Sequence, residues 1–157
     1  MATVGVYVDT SVWNAAFDEH VPNIKAQTVR FFERLRDRTS AHPFLSDVVL
    51  QELGNAPSAR VGPLAGLIRR VHPTRIELAE EAAALADAYI SHGVLREGHL
   101  VDARHVAIAT VAGLDAIVSW NYRHLVNRRR REAFNGVNAI QGYRSIEIIS
   151  PPEVFDE

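Results

Sequence analysis

The chain has 157 residues, 47% apolar and 23% charged, with a formal net charge of −2, and this composition predicts one globular domain over residues 1–157. It contains no cysteine, so disulfides, thiolate metal ligands and a thiol nucleophile are excluded, and any metal must be held by oxygen or imidazole. No apolar run approaches the ~20 residues that span a bilayer, so we expect a soluble, cytoplasmic protein that enters no membrane.

Apolar runs and capping residues alternate through the first third of the chain. Val4 to Val8 predicts a strand, and the Asp9-Thr10-Ser11 that follows can open a helix. Ile24 to Leu35 has the spacing of a surface helix with one buried stripe. Pro43 to Leu45 predicts a second strand, and Ser46-Asp47 can cap a helix that carries Glu52 and ends at Gly54.

The same alternation continues to the end of the chain. The pattern predicts helices over Pro63 to Val71, Glu77 to Ser91 and Leu100 to Ala112, strands over Ala116 to Ser119 and Ile146 to Ile149, and a short helical or loop stretch at Ile140. Parallel neighbours need helical crossovers, so this order predicts an α/β fold whose mainly parallel sheet is covered on both faces.

Three acidic residues are candidates for chemistry at the carboxyl edge of that sheet. Asp9 directly follows a strand, Glu52 lies on the helix after the second strand, and Asp102 lies in the first turn of a small-residue helix. Each has an ordinary structural explanation, as a helix cap, a solvated glutamate or a carboxylate favoured by a helix dipole. Their common position at one edge is more informative, because ligands bind at the carboxyl ends of parallel strands.

A divalent metal ion would relieve the repulsion among these three carboxylates. Mg²⁺ prefers oxygen ligands and keeps several waters, so a few carboxylates and a substrate phosphate make a typical site. Such an ion can activate a bound water and stabilise the charge that develops on a phosphodiester. The three acids therefore indicate hydrolytic cleavage of phosphodiester bonds.

Four segments resemble, in order, the motifs of the PIN-domain ribonucleases, and of the VapC-like type II toxins in particular. They are Tyr7-Val8-Asp9-Thr10-Ser11, Ser46-Asp47-Val48-Val49-Leu50-Gln51-Glu52-Leu53, Asp102-Ala103-Arg104-His105-Val106-Ala107-Ile108-Ala109 and Ser119-Trp120-Asn121-Tyr122-Arg123-His124. The resemblance extends over nearly the full chain and includes its tail, from Phe134 to Pro151.

The resemblance implies a three-layer α/β/α sandwich with a central parallel sheet and an endoribonuclease dependent on Mg²⁺ or Mn²⁺. It also implies a toxin restrained by a cognate antitoxin, and a homodimer. Asp9, Glu52 and Asp102 match the three central acids of the family, and Ser11 matches a hydroxyl position that would orient Asp9 or a metal-bound water.

Position 121 departs from the family pattern, because the fourth acidic position often holds aspartate and here holds Asn121. An asparagine can offer an amide oxygen to a metal but brings no charge. We therefore expect a second metal ion to be held less tightly than the first.

Basic and aromatic residues after this position are candidates for binding RNA. Arg123 and the run Arg128, Arg129, Arg130 and Arg131 could hold backbone phosphates through their guanidinium groups, although charge runs are usually solvated helix faces. Trp13, Trp120, Tyr122 and Phe134 could stack on unpaired bases of single-stranded or structured RNA, with core packing as the alternative. No pair of histidines shares a zinc-like spacing with a carboxylate, so most histidines are expected to be surface or packing residues, with His124 as a possible phosphate contact.

Three other functions fit parts of the sequence. An aspartyl-phosphate phosphatase also begins with a strand-end aspartate and a threonine, but usually has a second aspartate where this chain has Ser11. A PIN-fold scaffold with weak catalysis could bind RNA or a partner, although the intact Asp9, Glu52 and Asp102 argue against it. A dinucleotide-binding module is disfavoured because no glycine-rich loop follows a predicted strand.

Overall fold

A parallel sheet of five strands forms the centre of the protein in the computed structural model, which describes residues 3–37 and 40–155. The strands lie in the order β3-β2-β1-β4-β5, and all four neighbouring pairs are parallel. Their bounds are β1 Val4–Val8, β2 Ala41–Ser46, β3 Thr74–Ile76, β4 Ala116–Val118 and β5 Glu147–Ile149. The predicted α/β class with a mainly parallel sheet is confirmed, and the described sheet is parallel throughout.

Helices cover both faces of this sheet and complete a three-layer α/β/α sandwich. The helices are α1 Thr10–Ala15, α2 Pro22–Arg36, α3 Asp47–Leu53, α4 Ser58–Val71, α5 Glu80–Ser91, α6 Leu100–Val111, α7 Arg128–Ile140 and α8 Pro151–Val154, with a 3₁₀ turn at Glu97–His99. One set of contacts joins α5, α6 and α7, and another joins α1, α2, α3, α4 and α8. Among the described residues, no helix is both long enough and apolar enough to cross a membrane.

The strand β1 lies in the middle of the sheet, and its side chains are buried on both faces. Val6, Tyr7 and Val8 are each no more than 1% exposed, as parallel strands between two helical layers require. Helix α6 packs closely on the sheet because its buried positions are mostly small, including Ala103, Ala107 and Ala109. Asp102 is thereby held near the carboxyl end of β1.

Some boundaries differ from the sequence predictions for physical reasons. Helix α4 begins at Ser58 rather than Pro63, with Pro57 at its N-cap. The edge strand β3 was not predicted, because Thr74–Ile76 is only three residues long and mostly exposed. Helix α7 was predicted only as a short helical or loop stretch near Ile140, and most of its residues are polar. Tertiary packing outweighs local pattern in all three places.

Ser46 joins the end of β2 to the start of α3, the helix that carries Glu52. It is the N-cap of α3, and its hydroxyl accepts a hydrogen bond from the Val49 N–H at 3.3 Å. The same hydroxyl lies 2.7 Å from the Tyr7 hydroxyl in β1, and the Ser46 side chain is fully buried. One side chain therefore fixes both the start of α3 and its position relative to the central strand.

Replacing this cap should destabilise the protein without changing its fold. We expect Ser46→Ala to lower the free energy of unfolding by about 1–2 kcal/mol, because it removes a helix cap and leaves the buried Tyr7 hydroxyl with one partner fewer. Urea denaturation measures this change. The control is Ser58→Ala, at an exposed residue that makes no cap bond in α4. Equal stability of the two variants would contradict this role for Ser46.

Candidate active site

Asp9 lies at the carboxyl end of β1 and is the N-cap of α1. One carboxylate oxygen accepts from the Thr10 N–H at 2.8 Å, and the other accepts from the hydroxyls of Ser11 at 2.9 Å and Ser119 at 2.7 Å. The residue is 4% exposed. Asp9 thus caps α1 and at the same time has its carboxylate held in one orientation. Ser11 lies beside Asp9, as the sequence predicted.

Glu52 extends from α3 toward the same edge and is oriented by two donors. Its Oε1 accepts from the Thr10 hydroxyl at 2.6 Å and lies 2.6 Å from Nε2 of His105. Burial favours the neutral acid, but the hydrogen bonds from His105 and Thr10 outweigh it and lower the pKa of Glu52 below its usual value. Glu52 is therefore a carboxylate at neutral pH.

His105 occupies the centre of this group, a position that the sequence did not predict. Its Nε2 lies between Glu52, at 2.6 Å, and Asp9, at 3.5 Å, while its Nδ1 is 2.6 Å from the Tyr7 hydroxyl. Burial alone would lower the pKa of His105, but Asp9 and the hydrogen-bonded Glu52 raise it. The only feature of the sequence that pointed to this position was that His105 lies about one helical turn after Asp102 on α6.

Asp102 and Asn121 meet at the outer side of the group. The Asn121 amide nitrogen lies 3.5 Å from an Asp102 carboxylate oxygen, and the amide oxygen accepts from the His124 N–H at 2.9 Å. Burial, followed by the charge of Asp9, raises the pKa of Asp102. Asn121 therefore turns its nitrogen toward the acid, because an amide N–H stabilises a carboxylate that has little other hydrogen bonding.

The three acids offer the kind of ligand atom that a hard divalent cation takes, but among the described residues their ligand atoms do not all lie within 4.8 Å of one another. Asp102 is a half-buried carboxylate whose pKa is raised by burial and by Asp9 and Glu52, and a cation removes that penalty. Oxygen atoms of Asp9, Glu52 and Asp102 are the ligands that Mg²⁺ or Mn²⁺ prefers.

A basic cavity of about 590 Å³ opens beside Asp102. Its wall carries four arginines and two histidines: Arg96, Arg123, Arg129, Arg130, His99 and His124. The sequence did not single out Arg96 or His99. A carboxylate, Glu97, is also part of the wall.

The run Arg128 to Arg131 divides between different surroundings. Arg129 and Arg130 line the cavity together with Arg123, whereas the Arg128 side chain is 91% exposed and pairs with Glu132 at 3.1 Å. Arg131 is half-buried, and its Nε is buried without a hydrogen-bond partner among the described residues. Helical geometry separates successive side chains by about 100°, so four adjacent arginines cannot face one ligand.

Two histidines and a carboxylate form a group that could hold a metal ion, although the sequence shows no zinc-like spacing of two histidines with a carboxylate. Among the described residues, ligand atoms of His99, Asp102 and His124 all lie within 4.8 Å of one another. His99 and Asp102 are three residues apart at the start of α6, and the loop after Asn121 returns His124 to them. The arrangement was missed because that contact joins residues distant in sequence.

The four aromatic side chains considered for base stacking differ in accessibility. Trp13 and Phe134 are fully buried in the core. Trp120 is half-buried, and its indole N–H donates to the Thr28 hydroxyl at 2.8 Å. Tyr122 is 53% exposed, so it is the member of this set whose ring is open to a ligand.

Comparison with solved structures places this architecture among known folds. No family model and no curated protein sequence matches the chain. A chain in the crystal structure of VapBC2 from Rickettsia felis, bound to a DNA fragment from their promoter, aligns over 94% of this chain and 98% of that chain, with a TM-score of 0.58 and 10% sequence identity. The protein has a VapC-like PIN fold. The predicted PIN-like sandwich is confirmed, and at this identity the likeness concerns the fold alone.

The buried imidazole of His105 makes the stability of the metal-free protein depend on pH. The folded-state pKa of His105 is raised above its usual value of 6.5, so the imidazolium stabilises the fold fully below pH 6.5. This stabilisation is lost as the pH rises through the raised pKa. Glu52 acts in a separate window: its lowered pKa gives stability that is lost as the pH falls below its usual 4.5 and through the folded value.

We therefore expect the free energy of unfolding, measured by urea denaturation in EDTA, to decrease as the pH rises from 6.5 through the folded pKa of His105. His105→Gln should remove this decrease, because glutamine has no titrating group. The control is His92→Gln, at an exposed histidine on the C-cap of α5. The same pH slope in His105→Gln as in the unmodified protein would refute the assignment.

Proposed function

We propose that the protein is a divalent-metal-dependent endoribonuclease that hydrolyses phosphodiester bonds of RNA. One observation carries the proposal: Asp9, Glu52 and Asp102 gather at the carboxyl edge of the sheet, directly beside an arginine-lined cavity. Metal-assisted phosphodiester cleavage requires acidic side chains that bind a cation and basic side chains that bind phosphate.

Asp9, Glu52 and Asp102 would hold Mg²⁺ or Mn²⁺, with Asn121 beside them. The bound ion would supply a water of lowered pKa and stabilise charge on the phosphate oxygens. Ser11 and Ser119 hold one oxygen of Asp9 by hydrogen bonds, and Thr10 does the same for Glu52. These hydroxyls fix the directions of the carboxylates before a metal ion binds.

The arginine-lined cavity would hold the RNA backbone next to the acids. Arg123, Arg129 and Arg130 line one space, and guanidinium groups bind phosphate through paired hydrogen bonds. Arg130 also donates from Nη1 to the Val94 carbonyl, which leaves its other N–H groups for a phosphate. Such contacts position a strand without reading its bases. Tyr122 is exposed one residue before Arg123, where its ring could stack on an unpaired base.

We further propose that the protein is a toxin restrained by an antitoxin, which its fold likeness to a chain of VapBC2 supports, and that it forms a homodimer, as the resemblance of its sequence motifs implies. Growth arrest on expression, relieved by co-expression of the product of an adjacent gene, is the expected behaviour. Sedimentation at micromolar concentration should give the mass of two chains. A monomer, together with growth unaffected by expression, would remove this part of the proposal.

A second candidate is a PIN-like scaffold that binds RNA or a partner with weak catalysis. It is favoured by one specific observation: Nε2 of His105 already contacts both Glu52 and Asp9 without a metal ion, and the position where the resembled family often has a fourth acid holds the uncharged Asn121. The two candidates differ in the effect of Mg²⁺, because only the nuclease should cleave RNA with Mg²⁺ and stop in EDTA.

Removing one acid should abolish cleavage and preserve the fold. We expect Asp9→Asn and Asp102→Asn each to lower the rate of RNA cleavage by at least ~100-fold, since each removes a charge that binds the metal ion. Cleavage of labelled single-stranded and structured RNA is measured with Mg²⁺, Mn²⁺ or EDTA, and circular dichroism checks the fold. The matched control is Asp87→Asn, at an exposed residue of α5. Full activity in either folded variant would overturn the proposed metal site.

The division of the arginine run gives a second prediction. Replacing Arg123, Arg129 and Arg130 with glutamine should weaken RNA binding and reduce the slope of affinity against salt by about 2–3, because each lost phosphate contact lowers that slope by about one. Arg128→Gln should change the slope little, because Arg128 pairs with Glu132 away from the cavity. Affinities are measured at several salt concentrations by fluorescence anisotropy. Equal slopes for all variants would show that the cavity does not bind the backbone.

A further inference from the structure

A second group of possible metal ligands shares Asp102 with the three acids. His99 is the N-cap residue of α6, Asp102 follows one turn later, and His124 comes from the loop after β4. One ligand atom from each residue lies within 4.8 Å of the other two. Tetrahedral ligands at Zn–N and Zn–O distances of about 2.1 Å are about 3.4 Å apart, so small side-chain rotations would complete the geometry.

The two imidazoles of this group lie against each other, and one of them has a ring nitrogen without a hydrogen-bond partner among the described residues. Their ring centroids are 4.0 Å apart with an interplanar angle of 32°. Burial, followed by the proximity of His99, lowers the pKa of His124. The Nδ1 of His124 is buried and has no hydrogen-bond partner among the described residues. A buried nitrogen without a partner costs free energy that a metal bond would recover.

The ligand types distinguish this group from the three acids. Two imidazoles and one carboxylate are typical of Zn²⁺ and neighbouring transition metals, whereas Mg²⁺ prefers oxygen alone. Asp102 has two carboxylate oxygens, and one carboxylate can bridge two metal ions. The two imidazoles also supply ligands on the side where Asn121 replaces the aspartate common in the resembled family.

We propose that His99, Asp102 and His124 bind a transition-metal ion, with Zn²⁺ as the preferred occupant. Three protein ligands leave a fourth tetrahedral position open, which is the arrangement of zinc sites that bind an exchangeable ligand. His99 and His124 line the basic cavity together with Arg123 and Arg130, so these arginines lie near the proposed ion.

The surrounding charges set the conditions for binding. Arg123 and Arg130 face His124 and oppose a cation there, while Asp102 and the cavity residue Glu97 favour it. An anion in the cavity would offset the arginines and could also occupy the open position on the metal. Inorganic phosphate should therefore tighten binding of the metal ion.

Cobalt tests this site because Co²⁺ replaces Zn²⁺ and its visible absorption reports the ligand geometry. The full chain, freed of metal with EDTA and desalted, is titrated with Co²⁺ with and without inorganic phosphate. We expect strong absorption of a four- or five-coordinate ion, lost on adding one equivalent of Zn²⁺ and retained with equimolar Mg²⁺. His99→Gln and His124→Gln should each weaken Co²⁺ binding by at least ~100-fold, and the exposed His92→Gln should not.

Histidine nitrogen NMR gives a second readout that needs neither RNA nor activity. Adding Zn²⁺ should shift the ring nitrogens of His99 and His124 and leave those of His42 and His92 unchanged. Equal Co²⁺ affinity in the unmodified protein and in both folded histidine variants would overturn the site. So would weak absorption typical of an ion bound by oxygen alone. Loss of RNA cleavage in the acid variants is a separate result, so failure of the nuclease proposal leaves this test unaffected.

Discussion

Carboxylates that follow neighbouring parallel strands and helices are brought close together, and their mutual repulsion must be balanced. Here the balance comes from a buried imidazole, since His105 lies 2.6 Å from Glu52 and 3.5 Å from Asp9. Small residues on α6 make this possible by letting the helix approach the sheet closely. Hydroxyl groups of Thr10, Ser11 and Ser119 complete the hydrogen bonding. The carboxylates are therefore held in place before any ligand arrives.

Asp102 stands between two environments of opposite charge. Burial, together with Asp9 and Glu52, raises its pKa. Ligand atoms of His99 and His124 also lie within 4.8 Å of it, and these two imidazoles line the cavity that carries the arginines. A cation bound at the acids and an anion bound at the arginines would stabilise each other, because about one carboxylate group separates the two positions. This juxtaposition is the physical basis for both proposals.

The sequence predicted the elements that have strong local patterns. The run before Asp9 is a strand because it is continuously apolar, and Ser46 starts a helix because its hydroxyl caps one. The acids could be assigned to one edge because strand ends determine where side chains meet. The environment of His105 could not be predicted, because it depends on Tyr7 and Glu52, which lie 98 and 53 residues away in the chain.

The arginine run shows a different limit of prediction. Its four residues look alike in sequence, yet Arg128 pairs with Glu132 in solvent while Arg129 and Arg130 line the cavity. The phase of α7 decides this division, and the phase depends on where the helix begins. Asn127 sets that start, because its side chain accepts a hydrogen bond from the Arg130 N–H. A polar, glycine-containing helix gives little periodic pattern from which to infer it.

The hydrogen bonds around Tyr7 form a closed circuit. Burial raises the pKa of Tyr7 well above its usual value, so its hydroxyl keeps one proton, to share between Ser46 and His105. When His105 is doubly protonated, its Nδ1–H donates to Tyr7, and Tyr7 must donate to Ser46. When His105 is neutral and donates from Nε2 to Glu52, Tyr7 can donate to Nδ1 and accept from Ser46. The charge on the His105 imidazole thus sets the orientation of the Tyr7 and Ser46 hydroxyl groups. Ser46 in turn caps α3, the helix whose Glu52 contacts His105.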